Sequence, residues 1–122
     1  MPIKERRKFM RIATQLEADF WAKGPSMVSG QVQVRDFSRE GIGVLLPKRV
    51  EDKEHLDLTL RVPGDNVPIF ATAEVAWTRP AKDRPGTGAG LKLVTIKPLD
   101  LSRLLDFVYS RWLGKVRSDL SA

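Results

Sequence analysis

Apolar and polar residues alternate along most of the first 94 residues, with the period of a β-strand that buries one face. The clearest run is Leu56 to Val62, in which Leu and Val alternate with Asp, Thr and Arg. Turn-forming stretches such as Gly24-Pro25-Ser26 separate the runs. The predicted strands are 12–21, 28–35, 42–46, 56–62, 69–78 and 88–94. Six short strands with short connections predict an all-β barrel or sandwich.

The period changes near the C-terminus. Apolar residues between Leu101 and Leu113 recur at i, i+3, i+4, i+7 and i+8, which predicts an amphipathic helix. Pro98 and Asp100 suit its first turn, and Gly114 suits its end. We expect the helix to pack against its own barrel, and a dimer contact is the alternative. Residues 115–122 are predicted to fray.

Composition excludes several classes of protein. The 122 residues suffice for one domain, and there is no cysteine for a disulfide, a thiolate nucleophile or a cysteine metal site. A single histidine, His55, makes a poor case for a metal site or for Ser-His chemistry. No apolar run is long enough to span a bilayer, and the charged N-terminus lacks the apolar core of a signal peptide. We therefore predict a cytoplasmic protein that has no cofactor or metal and does not insert into a membrane.

Positive charge is concentrated at the start of the chain. The net charge is +6 and the pI is about 10.0, which indicates attraction to an anionic partner. The basic residues of the first eleven positions are Lys4, Arg6, Arg7, Lys8 and Arg11. We predict a flexible basic arm over residues 1–11, a body of barrel plus helix over residues 12–114, and a tail over residues 115–122.

A polar motif lies between the second and third predicted strands. Its sequence is Asp36-Phe37-Ser38-Arg39-Glu40-Gly41. Asp36 and Ser38 point to the same side of an extended backbone, and Gly41 allows a positive φ or a close approach to the backbone. Such a group can stabilise its own turn or hold the polar edge of a ligand.

The arm and the polar motif together resemble the PilZ domain, a bacterial receptor for cyclic di-GMP. The family's RxxxR motif corresponds to Arg7 and Arg11, and its [D/N]xSxxG motif to Asp36, Ser38 and Gly41. The resemblance covers nearly the whole chain and implies a PilZ-like six-stranded antiparallel β-barrel with a C-terminal α-helix. One departure is Leu93, where the family often has an aromatic residue. The predicted ligand-binding residues are Arg6, Arg7, Arg11, Asp36, Ser38 and Gly41.

The chemistry of these residues fits a guanine nucleotide. The arginine fork matches guanine O6 and N7 as well as phosphate oxygens. Asp36 can accept hydrogen bonds from guanine N1–H and N2–H₂, while Ser38 can donate or accept. Arg6 adds a further guanidinium, from which we hypothesise that a stacked pair of ligand molecules is bound. Trp77 follows the inward positions of its strand and is interpreted as core rather than as a platform for a base, and Arg79 is placed in an exposed loop.

These observations predict a cyclic di-GMP receptor that orders its arm on binding and signals to an unidentified downstream protein. The alternative is a ligand-independent adaptor with the same fold that acts only through protein contacts. A nucleic-acid binder is disfavoured because aromatic residues are scarce. An enzyme is rejected because Asp36, Ser38 and His55 are the only candidates for a triad and no nucleophile elbow is present. The expected state is a monomer or a weak homodimer.

Overall fold

The described chain forms six β-strands followed by one α-helix, as the alternation and the change of period predict. This computed structural model describes residues 11–38, 41–82 and 85–121, so Arg6 and Arg7 lie outside the described residues. Arg11, predicted as the last residue of the arm, begins the first strand. The elements are β1 (Arg11–Ala22), β2 (Ser29–Ser38), β3 (Gly41–Leu46), β4 (His55–Arg61), β5 (Ile69–Pro80), β6 (Thr87–Ile96) and α1 (Pro98–Ser121).

The strands close into a barrel in the order β1-β2-β3-β6-β5-β4. Every neighbouring pair is antiparallel, and β1 closes the barrel by pairing with β2 on one side and with β4 on the other. The predicted six-stranded antiparallel barrel with a C-terminal helix is therefore confirmed.

The barrel interior is filled by the alternate residues that the pattern assigns to it. In β1, Leu16, Ala18, Phe20 and Ala22 are buried, while the residues between them are at least partly exposed. Burying each large apolar side chain stabilises the fold by roughly 1.5–3 kcal/mol. The largest fully buried side chains are Leu46, Leu56, Leu58, Leu60, Ile69, Leu104, Val34, Val50, Val75 and Val108.

Helix α1 packs against its own barrel, which confirms the preferred alternative. Leu104 and Val108 are buried in the core, and Leu105, Phe107 and Trp112 are partly buried against it. Among the described residues, no helix is long and apolar enough to cross a membrane.

The predicted helix end at Gly114 is wrong, because α1 continues to Ser121. The backbone of residues 115–121 is helical, in contrast to the predicted frayed tail. A glycine inside a helix costs only about 1 kcal/mol relative to alanine, so it does not end a helix by itself. Gly114 also lacks the positive φ of a glycine that terminates a helix. The division of the chain into arm, body and tail stays a prediction.

Arg103 ties the start of the helix to the turn between β4 and β5. Its guanidinium lies 2.6 Å from an Asp65 oxygen and 3.0 Å from an Asp100 oxygen, and it donates to the Val67 carbonyl. Asp65 also accepts the Val67 N–H, and this bond, with the Arg103 guanidinium, holds the pKa of Asp65 below its ordinary value. The contact fixes the orientation in which α1 covers the barrel.

Glu54, directly before β4, is a buried carboxylate. It is 4% exposed and accepts hydrogen bonds from Ser26 Oγ at 2.5 Å, Ser26 N–H at 3.0 Å and Glu51 N–H at 3.0 Å. Burial raises the pKa of Glu54, but the hydrogen bonds from Ser26 and Glu51 outweigh burial and hold it below its ordinary value of 4.5. Glu54 therefore connects two loops and acts as a structural group.

Candidate functional site

The predicted polar motif lies at the end of the β2–β3 hairpin. Asp36 and Ser38 belong to β2 and Gly41 to β3, so the motif is mostly strand rather than the turn expected from the sequence. Asp36 pairs with Gly43 and Ser38 with Gly41 in the register of the two strands. Ser38 Oγ donates a long hydrogen bond of 3.4 Å to the Gly41 carbonyl. Its length leaves the hydroxyl easily available to another partner.

A β-bulge turns Asp36 and Ser38 outward. Val32 and Val34 point into the barrel, but the pairing of β2 with β3 shifts by one residue at Arg35, and Phe37 is the next buried residue. Without the shift, Asp36 would follow Val34 into the core. The extra residue therefore places both polar side chains on the outer face of the barrel.

A second bulge does the same for Trp77. Ile69, Ala71, Ala73 and Val75 are buried as predicted, but the pairing of β5 with β6 skips Ala76. Trp77 is consequently only partly buried and faces outward, so its assignment to the core is wrong. Arg79, predicted in a loop, is part of β5, and its guanidinium carbon lies 4.4 Å from the centre of the Trp77 ring.

Asp36 and Trp77 are the two ends of one row that crosses four strands. The register runs from Asp36 of β2 to Gly43 of β3, then to Gly90 of β6 and Trp77 of β5. The Asp36 carboxylate lies over Gly43, and the five-membered ring of Trp77 lies over Gly90. The two glycines leave a shallow floor on which both side chains rest.

Gly41 has a structural explanation of its own. A Cβ at this position would collide with the Leu91 carbonyl oxygen and lie 3.0 Å from the Leu91 carbonyl carbon. The close approach predicted for Gly41 is therefore observed, but what approaches is β6 of the same chain. The glycine allows β3 and β6 to come together beside Asp36 and Ser38.

These residues line a cavity of about 530 Å³ on the outside of the barrel, here called the Asp36–Trp77 cavity. It brings together three of the predicted site residues with an indole and the exposed Lys92. Its lining residues are Asp36, Ser38, Gly41, Ile42, Ala76, Trp77, Gly90, Leu91, Lys92 and Leu93.

Strand β1 begins at the edge of this cavity. Arg11 is the register partner of Ser38, and Ala13 is the partner of Asp36. The first residue of β1 therefore lies beside the polar motif. Arg6 and Arg7 are outside the described residues, as is the side chain of Arg11.

Sequence reasoning missed Lys92, placed Trp77 in the core and did not reveal that Gly43 pairs with Gly90. A usable signal was present, because Gly43 and Gly90 lie within strands, where a glycine indicates a bulge or the close approach of another group. What approaches them depends on register, which the sequence does not reveal locally.

Comparison with known proteins gives a consistent assignment. Residues 5–110 match the PilZ domain model. The chain belongs to the PilZ domain family. No curated protein sequence matches it.

Two solved PilZ structures resemble this fold. The Bacillus subtilis inhibitor of motility MotI/DgrA is 22% identical with a TM-score of 0.72, and the alignment covers 94% of this chain and 57% of that protein. The PilZ domain of Escherichia coli YcgR, solved with c-di-GMP, is 14% identical with a TM-score of 0.69. That alignment covers 93% of this chain and 98% of the YcgR domain. This PilZ domain thus spans little more than half of the MotI/DgrA chain.

The described part of this PilZ domain contains no group of three His, Cys, Asp or Glu residues arranged to hold a metal ion. His55 lies 3.7 Å from Glu74 across β4 and β5 and is not among the residues that line the Asp36–Trp77 cavity. The arrangement of acid, hydroxyl, indole and lysine suits the binding of a polar, flat, anionic molecule.

Proposed function

We propose that this PilZ domain is a receptor for cyclic di-GMP and binds it in the Asp36–Trp77 cavity. One observation carries the proposal: Asp36, Ser38 and Trp77 share one outer cavity, and Arg11, the register partner of Ser38, begins β1 beside it. Membership of the family and the fold shared with the c-di-GMP complex of the YcgR domain support it.

The carboxylate of Asp36 recognises the guanine edge. Guanine presents N1–H and N2–H₂ side by side, and one carboxylate can accept from both. Adenine presents no such pair of donors at that edge. A good bidentate contact is worth about 1–3 kcal/mol of discrimination between bases. Ser38 adds a hydrogen bond to the base or to a phosphate.

Trp77 and Arg79 provide a stacking surface beside the acid. Arg79 covers the ring in the ligand-free chain, and an exposed cation–π contact is worth only about 0.5–1 kcal/mol. Stacking of a base on an aromatic ring is worth about 1–3 kcal/mol. The base therefore displaces the Arg79 guanidinium, which becomes available to a phosphate oxygen.

The arginines of the arm complete the site. Arg11 starts beside Ser38, and Arg7 and Arg6 precede it by a few residues, within reach of the cavity. Their guanidinium groups bind guanine O6 and N7 or the phosphates. After subtraction of the free energy needed to order the arm, we expect a dissociation constant of about 1 μM, near −8 kcal/mol.

Binding orders the arm against the barrel and creates a surface that a downstream protein recognises. Because the ligand contacts both the arm and the barrel, it favours the closed arrangement over the open one. Arg6 supplies the extra positive charge that a second, stacked ligand molecule requires. The ligand-independent adaptor remains the alternative, and it predicts no nucleotide binding.

Isothermal titration with cyclic di-GMP tests the proposal. Arg7→Ala and Arg11→Ala should each weaken binding at least about tenfold. Arg49→Ala, at an exposed loop position outside the cavity, is the matched control and should bind like wild type. We expect all variants to melt near the wild-type temperature, because substitution of a solvent-exposed arginine changes stability little.

If the wild-type protein does not bind cyclic di-GMP at millimolar concentration, the result would favour the ligand-independent adaptor. Arm variants that bind as tightly as wild type would show that the site is elsewhere. A stoichiometry of one ligand per chain would remove the role assigned to Arg6.

A further inference from the structure

Gly43 and Gly90 are glycines for a spatial reason. They are register partners at the centre of the row that joins Asp36 to Trp77. Neither has a positive φ, so the backbone conformation alone would accept any residue. The explanation must therefore come from what lies above them.

The functional side chains of the site occupy the space that a Cβ would fill. A Cβ at position 43 would lie 2.7 Å from both carboxylate oxygens of Asp36 and 2.9 Å from its Cγ. A Cβ at position 90 would lie 2.5 Å from Cε2 of Trp77 and closer still to Nε1. These separations are well inside van der Waals contact, so an alanine must push the side chain away from the barrel.

A third glycine of the same region lacks this property. Gly88 precedes Gly90 by two residues in β6 and so lies on the same face of the strand. A Cβ there would lie 3.6 Å from the Arg79 carbonyl oxygen and 3.7 Å from Arg79 Cγ, which is ordinary contact. Gly88 therefore provides a matched control in the same strand.

We propose that Gly43 and Gly90 are positioning residues of the cyclic di-GMP site, an inference that rests on the proposed function. Gly43 sets the distance of the Asp36 carboxylate from the barrel surface and thereby the discrimination of guanine from adenine. Gly90 sets the distance of the Trp77 indole from the barrel surface and thereby the stacking of any purine base on that ring. Although the two glycines are register partners, Gly43 affects the selectivity for guanine, and Gly90 affects the stacking energy of any purine.

Titrations of the alanine variants with cyclic di-GMP and cyclic di-AMP separate the two roles. Gly43→Ala should weaken cyclic di-GMP by about 10- to 100-fold and reduce its preference over cyclic di-AMP. Gly90→Ala should weaken both ligands by a similar factor and keep their ratio. Gly88→Ala should bind within about twofold of wild type. Equal ratios in all variants, or wild-type affinity in Gly43→Ala and Gly90→Ala, would overturn the proposal.

Double variants test whether each glycine acts through its neighbour. If Gly90 acts through Trp77, then Gly90→Ala should cost no further affinity once Trp77→Ala has been made, and the same holds for Gly43→Ala with Asp36→Ala. Additive losses would contradict the proposal. If Gly90→Ala alone does not fold, the Trp77→Ala background removes the collision, and recovery of the fold there supports the same contact.

An NMR measurement without ligand keeps this inference distinct from the proposed function. The three indole N–H resonances can be assigned from single Trp→Phe variants. Gly90→Ala should move the Trp77 resonance and leave those of Trp21 and Trp112 in place, while Gly88→Ala should move none. A stationary Trp77 resonance would refute the positioning role. If the Trp77 resonance moves but the wild-type protein does not bind cyclic di-GMP, the proposed function would be refuted and the contact between Gly90 and Trp77 would stand.

Discussion

Two of the cavities on the outer surface of the barrel are similar in size but are built in different ways. The Asp36–Trp77 cavity, of about 530 Å³, lies where β2 and β5 each carry a bulge and β3 and β6 each carry a glycine. The second, here called the Trp21–Phe70 cavity, has about 610 Å³ and lies across β1, β4, β5 and β6.

The exposure of the two rings in the Trp21–Phe70 cavity follows from simple alternation along β1 and β5. Trp21 lies between buried Phe20 and Ala22, and Phe70 between buried Ile69 and Ala71, so simple alternation exposes both rings. Two acids that line it form ion pairs: Asp57 lies 2.8 Å from Lys23, and Asp19 lies 2.6 Å from Arg61.

The difference shows which features mark the candidate site. In the Trp21–Phe70 cavity, simple alternation exposes the two rings, and no glycine is among the described residues that line it. In the Asp36–Trp77 cavity, the two bulges place Asp36 and Trp77 on the outer face, where they lie over Gly43 and Gly90. Bulges re-aim side chains in this way at many functional sites.

The largest expected effect is a contrast between two aspartates on the outer face. Asp36→Ala should weaken cyclic di-GMP by about 10- to 100-fold and reduce discrimination against cyclic di-AMP. Asp57→Ala, which removes an acid of the Trp21–Phe70 cavity, should leave the affinity unchanged in the same titration. Equal losses in the two variants would indicate a general charge effect.

Glu54 should affect stability and not binding, because it lies in neither cavity. Glu54→Gln replaces a charged acceptor of three hydrogen bonds and should lower the free energy of unfolding by about 2 kcal/mol at pH 7. Chemical denaturation at several pH values provides the measurement.

The pH dependence of this effect has a definite sign. Because the folded-state pKa of Glu54 is depressed, its contribution is fully present above the unfolded pKa of about 4.5 and disappears as the pH falls through the lower folded value. The stability difference between wild type and Glu54→Gln should therefore shrink below pH 4.5. A difference that grows on acidification would contradict the structural role.

Removal of the Thr14 hydroxyl should raise the free energy of unfolding, by less than the loss of the Glu54 charge lowers it. It is 8% exposed, and its hydroxyl has no hydrogen-bond partner among the described residues. Thr14→Val keeps the shape and removes the unsatisfied group, so we expect stabilisation by about 1 kcal/mol in thermal or urea unfolding. Thr14→Ser is the control, because it keeps the hydroxyl and should give no such gain.

The smallest effect is expected in the Trp21–Phe70 cavity. Trp21→Ser and Phe70→Ser replace rings that are 55% and 64% exposed, and each should change the affinity for cyclic di-GMP by less than about twofold. A larger loss in titration would mean that the ligand, or the surface it controls, includes this face.

Alternation predicted six strands, and the i, i+3, i+4 pattern predicted a helix against the barrel, because both depend on local burial. Asp36, Ser38 and Gly41 were singled out as a polar motif by their spacing, and the resemblance to the PilZ domain suggested a ligand for it. The outward turn of Trp77 was missed because a bulge arises from pairing with β6, which is distant in sequence. The burial of Glu54 likewise depends on Ser26, which is 28 residues away.

Mapping of backbone and indole resonances during titration with cyclic di-GMP tests the central claim most directly. The account predicts that the largest shifts occur at Asp36, Ser38, Gly90 and the Trp77 indole N–H, with Trp21 and Phe70 unchanged. Shifts concentrated at Trp21 and Phe70, or no shift at saturating ligand, would contradict it.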